Sequence, residues 1–221
     1  MKSLLIFGIS DAALMAYYYF TSDSNYCVVG FVVDADFMPQ DKTFCGLPVI
    51  EFQGVEALYP PTQYMFFVAL GYSNLNQVRK DKYLAVKAKG YRLASYISSK
   101  ATLLSPESIG ENCFILENNT IQPFVKIGDN VTLWSSNHVG HHSVVENHCF
   151  LASHIVISGR VHIGESCFIG VNATLRDHIL VGENCIIGAG ALILEDASAG
   201  GVYMGIASSR SRVPSKRLRG I

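Results

Sequence analysis

Five of the seven histidines in this 221-residue chain fall within residues 137–154, in the segment NHVGHHSVVENHCFLASH. A neutral imidazole can accept a proton from a reacting group or bind a metal ion. His138, His141, His142, His148 and His154 could therefore build a proton-transfer site or gather zinc, which takes three or four such ligands at one point. The six cysteines add no zinc pattern, because no CxxC pair occurs. Which chemistry is open depends on where the backbone puts each ring.

The backbone has a clear period. From Ile109 to Ile193 every sixth residue is Ile, Leu or Val, without a gap. One inward aliphatic residue per six is the pattern of a hexapeptide β-helix. Three hexads close one coil of 18 residues, and coils stack at about 4.8 Å. About five coils are expected, roughly 24 Å tall. Cys113, Cys149, Cys167 and Cys185 all take the fifth place of their hexads, a place shared with Val131, Ser143, Ala173 and Ala191. They read as small packed side chains, not as ligands or disulfide partners. In an 18-residue stack His138 meets Val156, His142 meets Arg160, His148 meets Ser166, His154 meets Asn172 and His162 meets Val144. No two histidines are stacked neighbours, so a zinc cluster within one chain is not expected. Apart from His141 they read as corner residues.

Residues 1–100 have another rhythm. KSLLIFGI, CVVGFVVD, GLPVIEF, YMFFVALG and YRLASYI read as strands, and SDAALMAYYYF and NLNQVRKDKYLAVKAKG as helices. Strands alternating with helices predict a small Rossmann-like α/β domain with a parallel sheet. Ligands of such sheets bind beyond the carboxyl ends of the strands. Those ends are GISD at 8–11, DAD at 34–36 and GYSN at 71–74. Gly8 is the only glycine of the first loop, so the G-x-G-x-x-G dinucleotide fingerprint is absent. A helix N-terminus there can still hold a phosphate. Asp34 stands where an acid meets a ribose hydroxyl in many such folds. Asp34 and Asp36 could equally be ordinary loop acids.

An α/β domain over 1–100 followed by an unbroken hexad solenoid over 101–221 resembles the bacterial sugar acyltransferases that include the bacillosamine and perosamine N-acetyltransferases and the sialic acid O-acetyltransferases. IFGISD, VALGYSN, FIGVNATLRD, IIGAGALIL and MGIASSR carry the likeness in order along the chain. The resemblance implies a left-handed parallel β-helix. It also implies a homotrimer with acetyl-CoA between neighbouring solenoids and a nucleotide-linked sugar on the N-terminal domain. It places the catalytic histidine on His141 and the glycine whose N–H meets the thioester carbonyl on Gly159. Val171 and Ala189 would line the pantetheine arm, and Arg210 in the basic tail would meet the phosphates of CoA. Gly8, Ser10, Asp11, Asp34 and Asp36, with Gly71, Tyr72, Ser73 and Asn74, would hold the sugar nucleotide. The 18-residue spacing agrees independently, since 141 and 159 are one coil apart. Two departures stand out: Asp11, Ala12 and Ala13 replace later glycines of the first loop, and His142 replaces the acid that often follows the catalytic histidine.

The expected activity is thus N-acetylation of a nucleotide-linked amino sugar for bacterial surface polysaccharide or glycan synthesis. Sugar O-acetylation is the alternative. A zinc enzyme like the trimeric carbonic anhydrases and a non-catalytic sugar-nucleotide scaffold are the lesser ones. No bound metal is expected. A net charge of −1 gives no reason to expect nucleic acid as a partner. Asp11 interrupts the first apolar run and no run reaches 18 residues, so neither a signal peptide nor a membrane span is expected and the cytoplasm is the expected location.

Overall fold

The computed structural model describes residues 2–210, 212 and 215–217. Its first part comprises β1 (Lys2–Phe7), α1 (Asp11–Ser22), β2 (Tyr26–Val33), β3 (Thr43–Phe44), β4 (Leu47–Glu51), α2 (Val55–Leu58), β5 (Tyr64–Val68), α3 (Gln77–Ala88) and β6 (Arg92–Leu93). The sheet runs β3-β4-β2-β1-β5-β6, parallel throughout except for β3 at its edge. Its parallel strands follow the 3-2-1-4-5 part of the doubly wound order, and the order reverses between β1 and β5. Alternation splits β1 between two layers. Leu4 and Ile6 join Ala13, Ala16 and Phe20 of α1, while Leu5 and Phe7 join Tyr83 and Val86 of α3. The α1 layer does not end at the domain edge. It continues into Tyr96, Phe114 and Leu116, which belong to the solenoid.

The solenoid is a parallel β-helix with three faces, each built from two-residue strands. Its register is 18 residues, as in Thr120↔His138, Val144↔His162 and Phe150↔Phe168. Ile115, Leu133, Leu151, Ile169 and Ile187 stack inside at 0% exposure. Each corner is turned by a residue with positive φ. From Asn112 to Asn184 every sixth residue lies in the left-handed region, and Gly190 continues the series. This region disfavours a Cβ, and Asn, Asp and His tolerate it best among non-glycine residues. His142, His148, His154 and His178 occupy four of these corners. Their type suits a turn, which accounts for most of the histidine richness without metal chemistry. The four repeat cysteines are fully buried thiols. Cys113, Cys149, Cys167 and Cys185 lie 3.0–3.1 Å from carbonyl oxygens of the next coil.

Two boundaries differ from expectation. YRLASYI is not one strand: Arg92–Leu93 closes the α/β sheet, whereas Tyr96–Ile97 pairs with Phe114–Ile115 as the first rung of the solenoid. At the other end the register shortens. Val181 bridges Ala197 and Ile187 pairs with Tyr203, so the last coil has lost two residues. The hexad frame ends at Ile193 because LEDASAGG carries the chain to the next rung by a shorter path.

Helix α3 fastens the two parts together. One solenoid corner presents Glu111, Asp129, Asn147 and Glu165 at 18-residue spacing. Lys87 pairs with Glu111, Lys80 with Glu165, and the Tyr83 hydroxyl donates to Glu111 and Asp129. Arg79 is 1% exposed and has no carboxylate partner among the described residues. It donates instead to the carbonyls of Gly71 (3.0 Å), His148 (2.8 Å) and Cys149 (3.2 Å). Burial pulls its pKa down to about 10, so it stays charged at neutral pH.

His148 lies beneath this helix, against Tyr83, with its Nδ1 2.9 Å from the Asn130 amide. Burial lowers its pKa to about 4. The unfolded chain therefore binds a proton below about pH 6.5 that the native fold refuses until about pH 4, so stability falls with pH across that window. At 1.36 kcal/mol per unit, about 2 kcal/mol should be lost at this site between pH 7 and 5. Urea midpoints of wild type and His148→Asn check this. Asn tolerates the corner, and the variant should lose less stability over those two units. Equal slopes for the two proteins would be the contrary result.

Candidate active site

His141 sits on the turn between strands His138–Val139 and Val144–Val145. Its backbone N–H donates to the Gln122 side chain at 2.8 Å, and its carbonyl accepts from Arg160 N–H at 2.9 Å. These bonds tie the residue to the coil on either side. The ring lies against Gly159. A Cβ there would stand 2.7 Å from both Cε1 and Nε2 of His141. The absence of a side chain at 159 is therefore what seats the imidazole. The Gly159 carbonyl accepts from His178 N–H at 3.1 Å, but its own N–H has no acceptor among the described residues. A proton acceptor and a free backbone donor thus meet on one exposed corner, an arrangement suited to removing a proton while stabilising a developing oxyanion.

Val171 and Ala189 lie on a different corner, in the turns that follow Phe168–Ile169 and Ile186–Ile187. They line a groove of about 390 Å³ with Tyr72, Trp134 and Phe168. His141 and Gly159 are not on that groove. Within one chain the structure keeps the two halves of the expected acyl site apart.

The α/β domain has two cavities near the strand ends. One of about 290 Å³ is lined by Gly8, Ser10, Asp34, Phe37 and Lys82. Gly8 has φ +117, and a Cβ would meet the Ala69 carbonyl at 2.9 Å, so glycine is required where β1 turns into α1. Ser10 is the N-cap of α1 but makes no side-chain capping bond, which leaves its hydroxyl free. The Asp34 carboxylate is 2.7 Å from Lys82 Nζ. The other cavity, about 180 Å³, lies between this domain and the solenoid, with Asp11, Gly71, Tyr72, Arg79 and Trp134 on its walls. Tyr72 and Trp134 border both this cavity and the acyl groove, so the two spaces adjoin.

Several expected residues are placed otherwise. The Asp34 and GYSN strand ends are not adjacent: β1 lies between β2 and β5, and the two ends serve different cavities. Asp36 is on an exposed 3-10 turn and lines neither cavity, nor do the exposed Ser73 and Asn74. Tyr72 packs on Phe150 and Phe168 of the solenoid at ring distances of 4.9 and 4.8 Å, and it lines the second cavity, not that of Asp34. Arg210 is exposed beyond the last rung, and Arg219 lies outside the described residues. Arg79 was not singled out from the sequence. Inside a helix that also holds three lysines and Asp81 it carries no local sign of burial. Among the described residues no group of three or more His, Cys, Asp or Glu could hold a metal ion. No described helix is long and apolar enough to cross a membrane.

These features define a hexapeptide-repeat solenoid joined to a small α/β domain. The bacterial transferase hexapeptide repeat matches residues 108–141 and 160–195, and the pattern with its parallel rungs fits a left-handed β-helix. Over 92–93% of its length the chain is similar in fold to solved acetyltransferases. It is similar to a perosamine N-acetyltransferase from Caulobacter crescentus, solved with CoA and GDP-perosamine (22% identity, 93% of this chain and 94% of that one, TM-score 0.79). It is also similar to the acetyltransferase domain of PglB from Neisseria gonorrhoeae with acetyl coenzyme A (23%, 92% and 96%, TM-score 0.78). A third solved relative is WeeI from Acinetobacter baumannii (18%, 93% and 97%, TM-score 0.74). At these identities the likeness is one of fold. A 39-residue stretch is 41% identical to an acyl-carrier-protein–UDP-N-acetylglucosamine O-acyltransferase of Stutzerimonas stutzeri, covering 18% of this chain and 15% of that enzyme.

Proposed function

We propose that the protein transfers the acetyl group of acetyl-CoA to the amino group of a nucleotide-linked sugar. The seating of His141 on Gly159 carries this reading. An ammonium group cannot attack a thioester. His141 Nε2 would take a proton from the amine as its nitrogen bonds to the acetyl carbon, and Gly159 N–H would hold the resulting oxyanion. Collapse then breaks the C–S bond and releases CoA, its sulfur taking up a proton.

Because Val171 and Ala189 stand on another corner, the pantetheine arm of one chain would reach the histidine of its neighbour. A homotrimer is the closed assembly that repeats this contact three times. Arg210, past the final rung, would meet the phosphates of CoA, and Gly8, Ser10 and Asp34 would meet the nucleotide. The decisive test is CoA release from acetyl-CoA across a panel of nucleotide-linked amino sugars and their hydroxyl counterparts. Release with no amino sugar would overturn the proposal.

Asp34→Ala should raise KM for the sugar nucleotide and leave KM for acetyl-CoA largely unchanged. The carboxylate lines only the nucleotide-type cavity, and its loss also frees Lys82, which could still attract a phosphate. Steady-state kinetics with each substrate varied separates the two constants, and equal losses would argue against this division of the molecule.

A further inference from the structure

We infer that His142 is the positioning residue for His141, holding it as the Nδ1–H tautomer through an imidazole acceptor in the place of a carboxylate. The inference rests on the reading of His141 as the base. The two Nδ1 atoms are 3.1 Å apart, and the rings stand at 88°. His142 is itself fixed: its φ of +59° sets the corner, its N–H donates to the Pro123 carbonyl, and its ring packs on Phe124 at 4.6 Å. Two imidazole nitrogens at this distance share one proton. A base that accepts at Nε2 must keep its resident proton on Nδ1. His141 therefore donates, His142 Nδ1 accepts, and the proton of His142 itself resides on Nε2.

The surroundings disfavour a proton charge on that acceptor. The charged or titratable groups that face His142 are Arg160 and His141. Desolvation first, then the charges of Arg160 and His141, lower its pKa from the ordinary histidine value. Around His141 stand Gln122, Gly159 and Arg160. Among the described residues the histidines within 4.0 Å of a carboxylate are His148, His162 and His178, and neither ring of this pair is one of them. A carboxylate would orient the base and also stabilise its protonated form. A neutral imidazole orients it without that added charge.

The test uses the full-length protein labelled with 15N. Imidazole nitrogen shifts of His141 are read at pH 8 in wild type and in His142→Ala. The expected result is an Nδ1–H tautomer in wild type that gives way to Nε2–H in the variant. In acetyl transfer, His142→Ala should lower kcat roughly tenfold, a fraction of what a positioned base supplies. His142→Asp, whose side chain also tolerates the corner, should restore the rate and move the acid limb of the pH–rate profile up by roughly one unit. An Nε2–H tautomer in wild type, or one unchanged in His142→Ala, overturns the inference. The spectra need no turnover. Failure of every amino sugar as substrate would thus count against the proposed activity, while the histidine pair is still measured.

Discussion

Replacing His141 with alanine is expected to lower kcat for acetyl transfer by about 10²–10⁴, the usual worth of a positioned base, with little change in either KM. The side chain is exposed on a corner, outside the buried core, so the fold should persist. Unchanged kcat at pH 7 would mean that the base is elsewhere or that the amine arrives already neutral. His138 offers the control. It lies in the same turn region but pairs with Thr120 and Val156 on a flat face, away from Gly159. His138→Ala should cost much less.

Gly159→Ala should be almost as damaging for a different reason. The φ of Gly159 is not in the left-handed region, so its backbone accepts alanine without strain. The added methyl would stand 2.7 Å from the His141 ring, an exposed side chain that is free to swing away. The backbone N–H is retained and the base is displaced. A misplacement of about 1 Å can cost about 10² in rate, and that loss is the expected result, with a melting temperature close to wild type. Gly140→Ala makes the contrast. A Cβ there would meet backbone atoms of Ser158 and Gly159 at 2.5–2.6 Å, so that variant should lose stability as well as rate. A Gly159→Ala protein with full activity would show that the imidazole is not held by the glycine.

The solenoid was legible in the sequence because every rung repeats the same local problem. Each hexad needs one inward aliphatic residue and one residue that can turn a corner, and the next coil always lies 18 positions on. Ile109 to Ile193, the four cysteines and the His141–Gly159 stack all follow from that arithmetic. A second series, at Asn112, Asn118, Asn130 and His148, carried a weaker signal for left-handed corners, interrupted by Phe124, Ser136, Arg160 and Ser166. What tertiary structure alone decided was how aperiodic pieces meet the periodic one. The burial of Arg79 depends on α3 lying along the acidic corner, and no local pattern marks an arginine that satisfies distant carbonyls. The shortened last coil and the strand divided at Leu93 and Tyr96 reflect where one sheet closes and another begins. The separation of Val171 and Ala189 from His141 is a matter of which corner each turn occupies. The positions looked like one site along the chain, but three faces divide them in space, and in the proposed trimer a neighbouring copy would close the gap.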